Sequence, residues 1–300
     1  MVVGQLKRPP AKLSVEELAS QVEKAVLEQV AGARFDLPVL PRIAVRAFAV
    51  LRKPEFNLAE VADLIETDPL MAARLVHLAN SVAFATVSRL ESVRACVARL
   101  GAREVSFFLM ESAARQLIES HDVCIARLCD GLWEHSLAVA LLCYDLVEAL
   151  PGIDPEAAYL AGLLHDIGRP VLAGMLLDAE SRLLGRRVDH WILPSRWLDI
   201  VLRCERRVGL SVAGAWNLPA PVAEAIEFCE GFDPSQPFRL ANVVWLANVL
   251  AAASGHDVIC KPSRELTAIM EEGALLLGVS EEAIVRFTAS LPERLAARMA

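Results

Sequence analysis

Apolar residues recur along most of this chain at the three- and four-residue spacing of amphipathic α-helices. Val61, Leu64 and Ile65 mark one such face, and no stretch shows the sustained alternation of apolar and polar residues that is typical of strands. The pattern predicts an all-α fold. The predicted helices cover residues 14–31, 40–52, 58–66, 69–81, 90–99, 102–119, 124–150, 155–165, 169–184, 194–215, 219–229, 237–253, 263–277 and 280–299.

Several helix ends are indicated by capping residues. Asn57 begins an Asn-x-x-Glu capping box, and Asp68 and Asp154 each precede a proline at the first helical position. Asn80 is placed to satisfy the last carbonyl groups of the preceding helix. Gly101 should end the 90–99 helix in the left-handed conformation that glycine tolerates.

The polar stretch 119–122 is the best candidate for a domain boundary. It divides the chain into an N-terminal helical extension (1–34), a first helical lobe (35–120) and a second lobe with C-terminal helices (121–300). Because the boundary is short, we expect two closely packed helical lobes.

The composition is that of a protein that buries a core and crosses no membrane. Of the 300 residues, 55% are hydrophobic and 23% are charged, yet no apolar run approaches the ~18 residues of a membrane span. The N-terminus lacks the layout of a signal peptide, so a cytoplasmic protein is expected. The formal net charge of −8 argues against a broad nucleic-acid-binding surface. The seven cysteines form no Cys-x-x-Cys pair, which favours reduced core thiols.

One histidine–aspartate pair carries the strongest chemical signal. His165 and Asp166 follow an apolar helix and precede a glycine turn, and His135 lies thirty residues upstream. Together these three side chains could ligate a single divalent ion (Mg, Mn, Fe or Zn). The alternative is structural, because Asp166 accepting from a ring N–H of either histidine would form a satisfied buried polar pair.

Arginines are concentrated between residues 182 and 207. Arg203, Arg206 and Arg207 are the candidate contacts for an anion or an acidic partner. The alternative interpretation is a solvated helical face.

The order of several motifs resembles the HDOD family, the HD-related output domain of bacterial signalling proteins, a degenerate branch of the HD-domain superfamily. The resemblance covers about residues 35–255. The motifs are Leu-Pro-x-Leu-Pro at 37–41, Asp-Pro-Leu at 68–70, Leu-Ala-Asn-Ser at 78–81, Leu-Gly at 100–101, Leu-Trp-Glu-His-Ser-Leu-Ala at 132–138, Leu-Ala-Gly-Leu-Leu-His-Asp-Ile-Gly at 160–168, Val-Gly at 208–209 and Trp-Asn-Leu-Pro at 216–219.

The resemblance implies a helical second lobe like that of HD-superfamily phosphohydrolases, in which His135, His165 and Asp166 match metal-ligand positions. Other positions depart from that pattern. Related domains often carry a histidine where this chain has Glu205, a His-His pair where it has Cys229-Glu230, and an aspartate where it has Asn248. The implied metal site is therefore degenerate, and we assign no catalytic residue.

Three functions remain open at this point. The leading hypothesis is a non-catalytic regulatory module, a pseudo-enzyme of bacterial signal transduction that binds signalling proteins and needs no cofactor. The first alternative is a metal-dependent HD-type phosphohydrolase or phosphodiesterase acting on a nucleotide. The second is a nucleotide-sensing domain that binds a second messenger through the arginine-rich segment.

Overall fold

The computed structural model describes residues 15–32, 57–84, 88–118, 123–129, 131–148, 150, 152–184, 194–256 and 263–299. Every regular element within these ranges is helical, which confirms the all-α prediction. The predicted helix 40–52 lies outside the described residues. The α-helices are α1 (Val15–Ala31), α2 (Leu58–Glu66), α3 (Pro69–Ala79), α4 (Val93–Ile118), α5 (Val123–Leu128), α6 (Leu132–Glu148), α7 (Pro155–Leu164), α8 (Gly168–Leu184), α9 (Pro194–Ala215), α10 (Ala220–Phe228), α11 (Leu240–Ala253), α12 (Ser263–Leu277) and α13 (Glu281–Met299), and a 3-10 turn spans Val82–Phe84.

The predicted capping residues begin their helices as expected. The side chains of Asn57, Asp68 and Asp154 accept hydrogen bonds from backbone N–H groups in the first turns of α2, α3 and α7. Asn80 ends α3, and its amide donates to the carbonyl oxygens of Val76 and Leu90 at 2.8 Å. These groups satisfy backbone atoms that a helix end would otherwise leave without partners.

Two glycines with positive φ interrupt the helices. Gly101 (φ 79°, ψ 175°) kinks α4 where the sequence predicted a helix end. Gly131 (φ 72°) lies between α5 and α6, so the prediction of one continuous helix over 124–150 is wrong. Asp130-Gly131 is a turn-forming dipeptide, and this local signal outweighs the apolar periodicity on either side.

The chain forms two compact units. The first contains Met1–Pro38, Leu117–Asp130 and Asp166–Leu218, and the second contains Val39–Gln116, Gly131–His165 and Pro219–Ala300. Each unit is assembled from separate stretches of chain, whereas the lobes expected from the sequence are contiguous. The lobe boundaries themselves stay a prediction.

Helix α8 is central to the described part of the first unit, where it packs against α1, α5 and α9. In the second unit, α6 packs against α7, α11 and α13, and α2 pairs with α3. The apolar faces predicted for α2 and α3 are buried, as at Ile65 and Leu75. Each unit therefore has its own helical frame.

Burial accounts for two further features of the sequence. Residues 155–182 are long and apolar enough to cross a membrane by composition, but 78% of their most apolar window is buried inside the protein. The five cysteines whose side chains the structure describes are free and buried, as expected of core thiols: Cys96, Cys129, Cys143, Cys204 and Cys229.

Candidate functional site

Two of the predicted metal-ligating residues lie together in the second unit. His135 is in the first turn of α6 and His165 directly follows α7. Their Nε2 atoms are 3.3 Å apart, and both residues are buried. The Nδ1 atom of His135 is 2.7 Å from the carbonyl oxygen of His256, and that of His165 is 2.8 Å from the carbonyl oxygen of Gly162.

These contacts determine which ring nitrogens carry protons. A nitrogen that faces a carbonyl oxygen at this distance must donate, because the oxygen can only accept. Both Nδ1 atoms are therefore protonated, and in the neutral rings both Nε2 atoms present lone pairs to each other. A proton on one Nε2, or a cation shared by both, removes the repulsion between them. Metal-ligating histidines commonly donate their second ring N–H to a backbone carbonyl in this way.

A glycine explains why the two histidines can approach. A Cβ atom on Gly162 would lie 2.8 Å from the Cα of Ala140 and 2.9 Å from the Sγ of Cys143. Only glycine therefore lets α7 pack this closely on α6. The small residue in the Ala-Gly-Leu-Leu-His motif positions His165 by bringing the two helices into contact.

Asp166, the partner of His165 in the sequence motif, belongs to the first unit. Its Oδ2 is 3.1 Å from Nη2 of Arg169, and its Oδ1 is 3.0 Å from Nη2 of Arg206. Arg169 also donates from Nε to Oε2 of Glu205 at 3.0 Å. We call these four residues the Asp166 cluster. The carboxylate pairs with guanidinium groups, and an acceptor role of Asp166 towards a histidine ring stays a prediction.

The charges of the Asp166 cluster balance, and three of its four side chains are almost fully buried. Two carboxylates face two guanidinium groups, and the side chains of Arg169, Asp166 and Glu205 are only 3–5% exposed. Burial and the charge of Asp166 raise the pKa of Glu205, and Arg169 opposes them. Burial alone would lower the pKa of Arg169, but Asp166 and Glu205 raise it. Arg169 therefore stays charged and supplies the positive charge that these buried carboxylates need.

A second glycine positions the Asp166 cluster. A Cβ atom on Gly168 would lie 1.9 Å from the carbonyl oxygen of Glu205 and 2.7 Å from the backbone nitrogen of Gly209. The start of α8 therefore rests directly on the backbone of α9. This contact brings Asp166 and Arg169 to Glu205, and no larger residue at position 168 would permit it.

Sequence reasoning missed the role of Arg169. The residue was visible at the end of the His-Asp-Ile-Gly-Arg stretch, but it received no function. The available signal was a lone arginine among the apolar residues that begin α8, since such an arginine requires a buried acid.

The positions that depart from the HD pattern are in different surroundings. Glu205 is buried in the Asp166 cluster, where its carboxylate pairs with Arg169. In the second unit, Glu230 is exposed just after α10, and Asn248 is half-buried on α11. Of the three departures, Glu205 is the one for which the structure gives an alternative role.

Of the three candidate anion contacts, two have carboxylate partners. Arg203 pairs with Glu23 at 2.5 Å, and Arg206 pairs with Asp166. Arg207 is exposed on α9 and has no carboxylate partner among the residues that the structure describes. Anion binding by these arginines stays a prediction.

Comparisons with known proteins agree with this architecture. A protein from Treponema pallidum (strain Nichols) with no described function is 23% identical over 245 residues, which is 80% of this chain and 46% of that protein. The chain thus spans about half the length of that relative. A structure from Shewanella amazonensis SB2B, whose name proposes a metal-dependent phosphohydrolase, has a TM-score of 0.71 at 20% identity and covers 94% of this chain and 99% of its own.

Two further structures share the fold. An HDOD domain protein of unknown function from Geobacter sulfurreducens has a TM-score of 0.57 at 21% identity, covering 92% of this chain and 98% of its own. A protein from Marinobacter aquaeolei VT8, whose name proposes a role in signal transduction, has a TM-score of 0.64 at 22% identity. The match covers 96% of this chain and 67% of that protein.

The helices and the order of the motifs define an HD-like helical protein. A family model for the HDOD domain matches residues 37–231, and the chain belongs to the HDOD family. The resemblance inferred from the motifs is therefore confirmed.

Proposed function

We propose that this chain is a non-catalytic module of bacterial signal transduction that acts by binding partner proteins. The observation that carries this proposal is the pairing of Asp166 with Arg169 and Arg206. A carboxylate contributes to a hydrolytic metal centre only if its oxygens are available to the ion. Here two arginines already neutralise the carboxylate of the His-Asp pair.

The energetics of a buried charge cluster support the same conclusion. A divalent ion bound by Asp166 would displace at least one guanidinium group from its carboxylate. Arg169, the buried one of the two, would then lose one of its two carboxylate partners, which is a costly change. Glu205 adds no free negative charge, because Arg169 occupies its carboxylate. These residues do not fit the carboxylate ligands of a two-metal phosphohydrolase.

Exposed apolar side chains provide candidate contacts for a partner. Leu275 on α12 and Val285 on α13 are 80% and 59% exposed, and Leu276 is also exposed. These residues lie outside the matched HDOD region.

A metal and activity assay tests the non-catalytic part of the proposal. We expect protein purified without chelator to contain far less than one Mn, Fe, Mg or Zn per chain. We expect no turnover of bis(p-nitrophenyl) phosphate above that of the metal ion alone. Stoichiometric metal, together with hydrolysis that is lost in His165→Ala and Asp166→Ala, would overturn it.

A partner assay tests the binding part. The full chain and a Leu275→Glu/Val285→Glu variant are used as bait in extract of the source cell, with Leu70→Glu as a matched control at another exposed leucine (60% exposed). We expect the wild type and the control to retain a reproducible partner that the double variant loses. The absence of any reproducible partner would contradict the proposal.

One observation favours the metal-dependent phosphohydrolase as a second candidate. The Nε2 atoms of His135 and His165 converge with their Nδ1 protons held by carbonyl groups, an arrangement suited to a shared cation. The two imidazoles would supply two neutral nitrogen ligands to such an ion. The elemental measurement above distinguishes the two functions.

A further inference from the structure

A small cavity in the second unit combines two features that call for an anion. It lies between α3, α4, α6 and α13, and it is lined by Arg74, Arg115, Trp133 and Arg298, among others. The volume of the cavity is about 30 Å³. That space holds about two water-sized groups, such as two oxygens of one oxyanion.

The first feature is a buried donor without an acceptor. Trp133 is only 7% exposed, and its indole Nε1–H has no hydrogen-bond partner among the residues that the structure describes. Indole N–H can only donate, and buried donors in folded proteins nearly always meet an acceptor. Because Trp133 lines the cavity, a ligand oxygen in the cavity can be that acceptor.

The second feature is positive charge at the same place. Arg74 is half-buried and has no carboxylate partner within the described part of the chain. The guanidinium carbon of Arg115 lies 5.6 Å from the ring centroid of Trp133, a cation–π contact that places it beside the same indole. Two guanidinium groups and one N–H therefore line the same small space.

The third arginine of the cavity is held by ion pairs. Arg298 lines the cavity, but it pairs with Glu104 and Glu111 at 2.5 Å each. Burial raises the pKa of Glu111, which favours its neutral form and reduces the negative charge beside the cavity.

We propose that this cavity binds a phosphate group, held by the guanidinium groups of Arg74 and Arg115 and the indole N–H of Trp133. A phosphate offers several acceptor oxygens to donors that approach from different sides, and arginine is well suited to it. His77, which is exposed at the edge of the cavity, adds a further donor. The site is distinct from the arginines of α9 and independent of the proposed function.

The C-terminal helix completes this cavity. Ala297 and Arg298 on α13 line it, and both lie beyond the HDOD match, which ends at residue 231. Arg298 is held by its two ion pairs with α4, so this wall of the cavity is fixed. The phosphate site therefore depends on a segment outside the matched HDOD region.

Indole N–H signals in an NMR spectrum of the full chain test the proposal directly. The chain is labelled with ¹⁵N, and the Trp133 signal is identified by its loss in Trp133→Phe. Inorganic phosphate, glycerol 3-phosphate and acetate are added separately at constant ionic strength. We expect a saturable shift of the Trp133 signal with phosphate and little shift with acetate.

Matched arginine variants locate the site. Arg74→Gln should weaken phosphate binding at least about tenfold, because it removes a charged hydrogen-bond donor. Arg99→Gln removes the same charge from an exposed position of the same unit, so its Kd should stay within about twofold of the wild type. Binding of inorganic phosphate alone would indicate a free-anion site, and binding of both phosphates a site for the terminal phosphate of a small ligand. No saturable Trp133 shift with either phosphate, equal binding of acetate, or equal Kd values for the two arginine variants would overturn the proposal.

Discussion

Replacing Arg169 by methionine should destabilise the protein more than the loss of any surface ion pair. Methionine keeps an apolar stem of similar length but removes the charge that balances Asp166 and Glu205. The Asp166 cluster then changes from neutral to one net negative charge, and the carboxylates involved are at most 5% exposed. Removing one partner of a buried ion pair typically costs about 3–5 kcal/mol. We expect a loss in this range in the free energy of unfolding.

A second substitution tests whether charge is the cause. Adding Glu205→Gln to Arg169→Met removes the unbalanced carboxylate, so the double variant should recover about 1–3 kcal/mol relative to the single variant. Urea unfolding followed by tryptophan fluorescence gives the free energies, provided that the m-value is unchanged.

The matched control is on the same helix. Arg182 pairs with Asp178 on α8, but these side chains are 47% and 51% exposed. Arg182→Met should therefore cost only about 0.2–1 kcal/mol. The reasoning is refuted if Arg169→Met costs no more than Arg182→Met, or if Glu205→Gln gives no recovery.

Three further outcomes are expected. Gly168→Ala should destabilise the protein by about 1–3 kcal/mol in urea unfolding, because its Cβ would meet the backbone of α9 at 1.9 Å. Gly174 is on the same helix and a Cβ there would have no atom within 4 Å, so Gly174→Ala should be neutral or stabilising. Equal effects of the two substitutions would contradict the close contact at Gly168. Burial raises the pKa of Cys129 to about 11, so only about one thiol in a thousand is ionised at pH 8; peptide mapping after native iodoacetamide treatment should leave Cys129 unmodified, and labelling at the rate of the unfolded protein would contradict this. Burial raises the pKa of Glu111 above its ordinary 4.5. The wild type should therefore lose stability relative to Glu111→Gln as the pH rises through the pKa of Glu111 in the folded state. If the difference in unfolding free energy between the two proteins is constant from about pH 4 to 8, this carboxyl does not titrate as argued.

Helix ends were predictable because capping acts over a few residues. Asp68 and Asp154 accept from N–H groups two or three positions ahead, and Asn80 reaches back to the carbonyl of Val76. A sequence contains all the information that such contacts need. At Gly131 two local signals conflict, because the apolar periodicity predicts a continuous helix whereas Asp130-Gly131 predicts a turn.

Pairings between helices were not predictable in this way. Arg298 binds Glu111 across 187 positions in the chain, and Arg169 binds Glu205 across 36. Which acid an arginine meets depends on how closely two helix backbones approach, and Gly168 permits that approach by having no side chain. The motif therefore revealed His135, His165 and Asp166, but not the arginines that determine what Asp166 does.

The arginines give Asp166 a structural role that requires no metal ion. A guanidinium group supplies fixed positive charge and several donors, so it can hold a buried carboxylate and the turn before α8 in place. It has no open coordination position and cannot lower the pKa of a bound water, as a catalytic metal does. With Arg169 and Arg206 on its two oxygens, Asp166 contributes to the stability of the first unit. The carboxylate of the His-Asp pair is therefore bound by Arg169 and Arg206, and these arginines supply no nucleophile.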